Sequence, residues 1–146
     1  MIIKIFKAVW FLSLLATIAI FLYIYASLPE QVYFTDGGTL SISRNGIFYS
    51  TLIFLGVINA LVFVITRIFP VTNGYFQAWF YGLVAFVNLF VLVSSQFIST
   101  FNSQERYNYD NIGFIIYGSI ALIVFWSILW PLYSITQRFM SKQSVS

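Results

Sequence analysis

Four stretches of this chain, at about residues 8–26, 47–66, 76–98 and 112–131, contain no Asp, Glu, Lys or Arg. Each is close to the roughly 20 apolar residues that an α-helix needs to cross a bilayer. Backbone polar groups inside lipid must bond within the protein, which leaves helices and closed barrels as spanning structures. Barrel strands alternate over about ten residues, whereas these runs are continuously apolar for about twice that length. The expected fold is an all-α integral membrane protein with four transmembrane helices. Composition agrees: 8% of residues are charged and 60% hydrophobic, against roughly 25% and about 45–50% in soluble domains. Spans and short connections use nearly all 146 residues, so residues 1–146 read as a single transmembrane domain.

Lys4 and Lys7 precede the first run, as basic residues precede a signal peptide. The apolar core of a cleaved signal is roughly 7–15 residues long. This run is longer, and Ile24 stands where a small residue would precede a cut after Ala26, so the first span reads as a retained anchor. Orientation follows from the basic residues, which favour the cytoplasmic side. Lys4, Lys7, Arg67, Arg138 and Lys142 fall on the side where the first span starts, and Arg44 and Arg106 on the other. All four acids, Glu30, Asp36, Glu105 and Asp110, share that other side. The expectation is that both termini are cytoplasmic, in a bacterial inner membrane. Trp10, Tyr23, Tyr25, Tyr49, Tyr75, Trp79, Tyr81, Trp126, Trp130 and Tyr133 lie mostly near span ends, where amphipathic rings favour the headgroup level.

The outer connections are short. Residues 27–46 carry Pro29, Asp36-Gly37-Gly38 and Asn45-Gly46. Two alternating segments flank Asp-Gly-Gly, a pattern that suits a short β-hairpin because Gly tolerates positive φ in a tight turn. An irregular loop fits equally. Residues 99–111 are polar with interleaved Tyr. The tail from Gln137 is polar and Ser-rich, and is expected to fray.

Chemistry is mostly excluded. The chain has no Cys and no His, which removes thiol nucleophiles, Cys/His zinc sites and histidine general bases. Its only Met residues, Met1 and Met140, lie near the ends. No ionisable residue sits within a span, although proton relays and ion pathways normally use them. No catalytic residue, cofactor or metal site is expected, and the protein is not expected to be an enzyme. The scattered basic residues make no nucleic-acid footprint.

What remains are packing residues. Asn59 and Asn88 each fall near the middle of a span. A primary amide in hydrocarbon must find a partner or be strongly destabilising. If spans two and three form an antiparallel pair, these two lie at similar depth and can bond each other, as packing glue; a contact to a polar ligand or quinone is the alternative. Small residues let helix backbones approach: Gly56 with Ala60, Ala78 with Gly82 and Ala85, Ser13 with Thr17, and Gly118 with Ala121. The group Gly56, Asn59 and Ala60 is expected to pack against a neighbour. On the outer side Tyr33, Asp36, Tyr107 and Tyr109 are candidate partner contacts, since Tyr is favoured at interfaces.

The segment Leu28-Pro29-Glu30-Gln31-Val32, directly after the first span, resembles the start of the SdpI/DUF1648 group of small bacterial membrane proteins. Those proteins carry Leu-Pro-x-x-Ile/Val there, followed by a Gly turn and a second span, as Asp36-Gly37-Gly38 and Ile47 onward do here. The resemblance covers residues 10–60. The group includes immunity proteins against secreted toxins, so it implies recognition of a partner outside the cell. The His usual soon after that proline is absent; Phe34 and Thr35 occupy the region. Three functions therefore stand open. One is an accessory or scaffold subunit that meets the lipid bilayer and a membrane-protein partner or further copies of itself. Another is an immunity- or receptor-type protein acting through its outer loops. The third is an oligomeric transporter of neutral or lipophilic cargo.

Overall fold

The computed structural model describes residues 2–34, 40–68, 74–103 and 109–143. Its elements are α1 (Ile2–Ser27), β1 (Gln31–Tyr33), β2 (Ser41–Ser43), α2 (Arg44–Ile68), α3 (Gly74–Asn102) and α4 (Tyr109–Gln143). All four helices are long and apolar enough to cross a membrane. Each is longer than the charge-free run that predicts it. Charges mark the limit of what hydrocarbon tolerates, whereas a helix continues until its backbone bonding is interrupted. Of the tail expected to fray, residues 137–143 continue α4, which has Pro131 inside it, and residues 144–146 lie outside the described residues. Proline removes the donor to the carbonyl of Ser127, four residues back, and its ring crowds that carbonyl, yet the helix continues past it.

α3 is the central helix. It packs along α1, on α2 and on α4, while the backbones of α1 and α2 stay further apart and meet through side chains such as Trp10 with Phe63 and Phe21 with Phe48. Its buried residues recur every three or four positions from Gln77 through Ala78, Tyr81, Gly82, Val84, Ala85, Asn88 and Val91 to Ser95. That spacing keeps one face turned inward around a helix of 3.6 residues per turn. α1 offers a narrower stripe, Trp10, Ser13, Thr17, Phe21 and Ile24. α2 buries Ile47, Leu55, Asn59 and Val62. In its apolar stretch Gly113–Gln137, α4 buries no residue; it rests mainly on α3, and Phe6 of α1 also reaches its Trp126 ring at 5.8 Å.

The core is layered. Near the start of α1, Trp10, Val62, Tyr81, Val84 and Ala85 form one apolar cluster. At the other end Phe21, Ile24, Leu28, Val32 and Ile47 form a second. Between them Ser13, Thr17, Asn59 and Asn88, all buried, make a polar layer.

The connection between α1 and α2 is a hairpin, which settles the choice left open by the sequence. β1 and β2 pair antiparallel with Gln31 opposite Ser43 and Tyr33 opposite Ser41. Alternation turns Val32 inward, where it is fully buried against the second cluster. The ladder is prolonged by Phe34 N–H to Leu40 O at 3.0 Å and Arg44 N–H to Glu30 O at 2.9 Å. An isolated hairpin is marginal in water. This one is held by Asn102 at the end of α3. Its amide accepts from Tyr33 N–H at 2.8 Å and donates to Tyr33 O at 3.0 Å, as a neighbouring strand would. Ser43 caps α2, its Oγ accepting from Gly46 N–H at 3.1 Å.

Candidate functional site

The polar layer joins three helices. Asn59 and Asn88 face each other as a reciprocal amide pair: Asn59 Nδ2 donates to Asn88 Oδ1 at 2.8 Å, and Asn88 Nδ2 to Asn59 Oδ1 at 3.0 Å. Their similar depth, expected from an antiparallel α2–α3 pair, makes this contact. Each amide then reaches further. Asn59 Oδ1 accepts from Trp10 Nε1 at 2.8 Å, and Asn59 Nδ2 donates to Leu55 O within its own helix at 2.9 Å. Asn88 Nδ2 donates to Ser13 Oγ at 3.2 Å. The Thr17 hydroxyl lies 3.0 Å from Asn88 O and 2.8 Å from Ser13 O, sharing one proton between them, while Ser13 Oγ donates to Trp10 O at 2.7 Å.

A side-chain amide has two N–H donors and two acceptor lone pairs. Asn59 uses all four, and Asn88 uses both donors. Burial without partners would cost about 1–3 kcal/mol per group; here the ring of bonds closes on itself. Every amide N–H is engaged within the chain, so the arrangement can lock the three helices together. Among the described residues no group of three His, Cys, Asp or Glu is placed to hold a metal.

The other sequence candidates separate into two sets. Ala78 and Gly82 are buried on α3. A Cβ on Gly82 would stand 2.6 Å from the Trp126 ring, so its lack of a side chain is what lets α4 approach. Gly56 and Ala60 are exposed on α2; nothing lies within 4 Å of where a Gly56 Cβ would be. Asn59 between them is buried in the bundle. Gly118 is likewise open. On the outer side Tyr33 is exposed while its backbone is clamped by Asn102. Asp36 and Tyr107 lie outside the described residues, as does the side chain of Tyr109.

Sequence reasoning missed two tryptophan roles. Trp10 and Trp126 were expected at headgroup level. Trp10 instead is buried and belongs to the polar layer. Trp126 forms a clasp with Trp79, each indole donating to the other's backbone carbonyl: Trp79 Nε1 to Trp126 O at 2.7 Å, and Trp126 Nε1 to Trp79 O at 2.9 Å. A helix carbonyl has a second lone pair free for such a bond. Indole N–H groups in apolar surroundings need partners, and that rule is the signal that could have found both. Asn102 gave no such signal, being one polar residue in a polar stretch.

Beside the clasp, α1, α3 and α4 leave an apolar cleft of about 220 Å³. No family model, no curated protein and no solved structure matches the chain.

Proposed function

We propose that this chain is a non-catalytic integral membrane protein that serves as an accessory or scaffold subunit of a larger membrane assembly. It lies in a bacterial inner membrane with the start of α1 and the end of α4 in the cytoplasm. The observation that carries the reading is the closed polar layer, whose amide donors are all used between α1, α2 and α3. Such a layer fixes shape and leaves no acid, base or ligand group at its centre. Two further features support an assembly role: the small residues Gly56 and Ala60 on the outward face of α2, and α4, which buries no residue over Gly113–Gln137. Close backbone approach at small residues is a common way for membrane helices to associate. Extraction from native membranes in a mild detergent, followed by size and partner analysis, tests it. A defined larger complex is expected; a stable lone monomer with no co-purifying protein would overturn it.

A second reading, recognition of an outside partner in the manner implied by the SdpI/DUF1648 resemblance, is favoured by one observation. Asn102 holds the backbone of Tyr33 rigidly while the ring stays exposed. A fixed aromatic loses little freedom on binding. Replacing residues 31–43 and 103–108 with neutral linkers would abolish protection against the cognate toxin; unchanged protection would exclude this reading.

A further inference from the structure

The cleft between α1, α3 and α4 opens at the end of the bundle where α1 starts. Phe6, Ala78, Trp79, Trp126, Trp130 and Tyr133 contribute to its walls. The Phe6 and Trp126 rings stand 5.8 Å apart, and those of Trp130 and Tyr133 5.6 Å. Trp126 and Tyr133 are separated by two helical turns, about 10 Å along the axis. The cleft therefore runs from the aromatic level at the helix ends into the apolar depth of the bundle. Trp79 and Trp126 already donate to each other's carbonyls, so their N–H groups are not offered to a polar guest. The lining suits a hydrocarbon chain.

Charge specifies what that chain is attached to. The same end of the bundle carries Lys4 and Lys7 in the first turns of α1, Arg67 in the last turn of α2, and Arg138 and Lys142 near the end of α4. At the opposite end stand Glu30, just after α1, and Asp110, at the start of α4. Past Pro131, α4 continues with Leu132, Ile135 and Phe139 at helical spacing, and with Ser134, Gln137 and Arg138 between them. That is the pattern of a basic amphipathic segment at a membrane surface. The basic positions of α1, α2 and α4 therefore share the end of the bundle at which the cleft opens.

We propose that this cleft binds one anionic phospholipid of the bilayer, with an acyl chain along Trp126 and Ala78 and the phosphate at the level of the basic helix ends. The proposal rests on the membrane placement given above. The test uses the full chain in phosphatidylcholine vesicles. Flotation with the vesicles comes first, and a chain that does not float fails on membrane placement itself. Tryptophan emission is then quenched with dibrominated phosphatidylglycerol or with dibrominated phosphatidylcholine of the same chain length. A basic residue near an anionic surface is worth about fivefold in affinity, so phosphatidylglycerol should quench at a mole fraction at least about fivefold lower. Lys4→Gln/Lys7→Gln/Arg138→Gln/Lys142→Gln should bring the two lipids level while quenching by phosphatidylcholine persists. The variant Trp79→Phe/Trp126→Phe/Trp130→Phe leaves the buried Trp10 as sole reporter and should lose the preference; Trp10→Phe should keep it. Equal quenching by the two lipids in the unaltered protein would overturn the proposal. So would a preference that survives charge removal, or one that Trp10 alone reports.

Discussion

Replacing Asn88 with Leu would remove three side-chain bonds between helices: Asn88 Nδ2 to Ser13 Oγ, and both members of the Asn59–Asn88 pair. Polar contacts between membrane helices average about 0.6 kcal/mol each and reach about 1.7, so the loss should be about 2 kcal/mol. It should rise toward about 4 kcal/mol if the orphaned Asn59 N–H finds no new acceptor. Asn59→Leu also removes three such bonds, including the one from Trp10. The two single variants count the amide pair twice, so the double variant should be less damaging than their sum. Two shared bonds predict a coupling of about 1 kcal/mol. Reversible unfolding in mixed dodecyl maltoside and dodecyl sulfate micelles, followed by circular dichroism, measures all three. Additivity within about 0.3 kcal/mol would refute the idea that these amides act as one unit. So would single variants as stable as the parent.

Further outcomes follow from the other contacts. Gly82→Ala places a methyl 2.6 Å from the Trp126 ring and should cost about 1–3 kcal/mol by overpacking. Because the chain has no Cys, cysteine pairs introduced across α3 and α4 would report their separation as slower cross-linking. Trp79→Phe should cost about 1 kcal/mol, one clasp bond, in the same unfolding assay. Asn102→Ala should leave the global midpoint within about 1–2 kcal/mol of the parent, yet raise amide exchange across residues 31–43, since the hairpin loses its anchor. Ala60→Leu, on the open face of α2, should change the stability of the single chain by no more than about 0.5 kcal/mol; loss of a larger species on gel filtration would place that face in an assembly.

How much of this was legible varies with the physics of each feature. The four helices were readable because lipid excludes charge over a fixed thickness, and that exclusion is written locally in the sequence. The Asn59–Asn88 pair was readable by depth alone, as two amides near the middle of adjacent antiparallel spans. Trp10 was not: a tryptophan three residues into a span looks like a headgroup anchor until the amide it bonds, 49 positions away, is in place. The hydropathy of α4 is 2.0, close to the 1.9 of α3, although one buries nothing in its apolar stretch and the other 44% of it. Apolar residues face lipid as readily as protein, so hydropathy cannot rank helices by burial. The hairpin stayed undecided because its support, Asn102, lies 69 positions from Tyr33.

The central position of α3 also bears on how the chain is made. Synthesis delivers α1 and α2 to the membrane first, and these two meet through side chains such as Trp10 with Phe63 and Phe48 with Phe21 and Tyr25. Of the bonds in the polar layer, only Trp10 to Asn59 can form between them at that stage. The remaining Asn59 N–H, and the groups of Ser13 and Thr17 that await Asn88, have to wait for the third helix. Insertion of α3 is thus the step that commits the bundle, and a translocon or chaperone holding the first two helices would have to shelter one unpaired amide until it arrives.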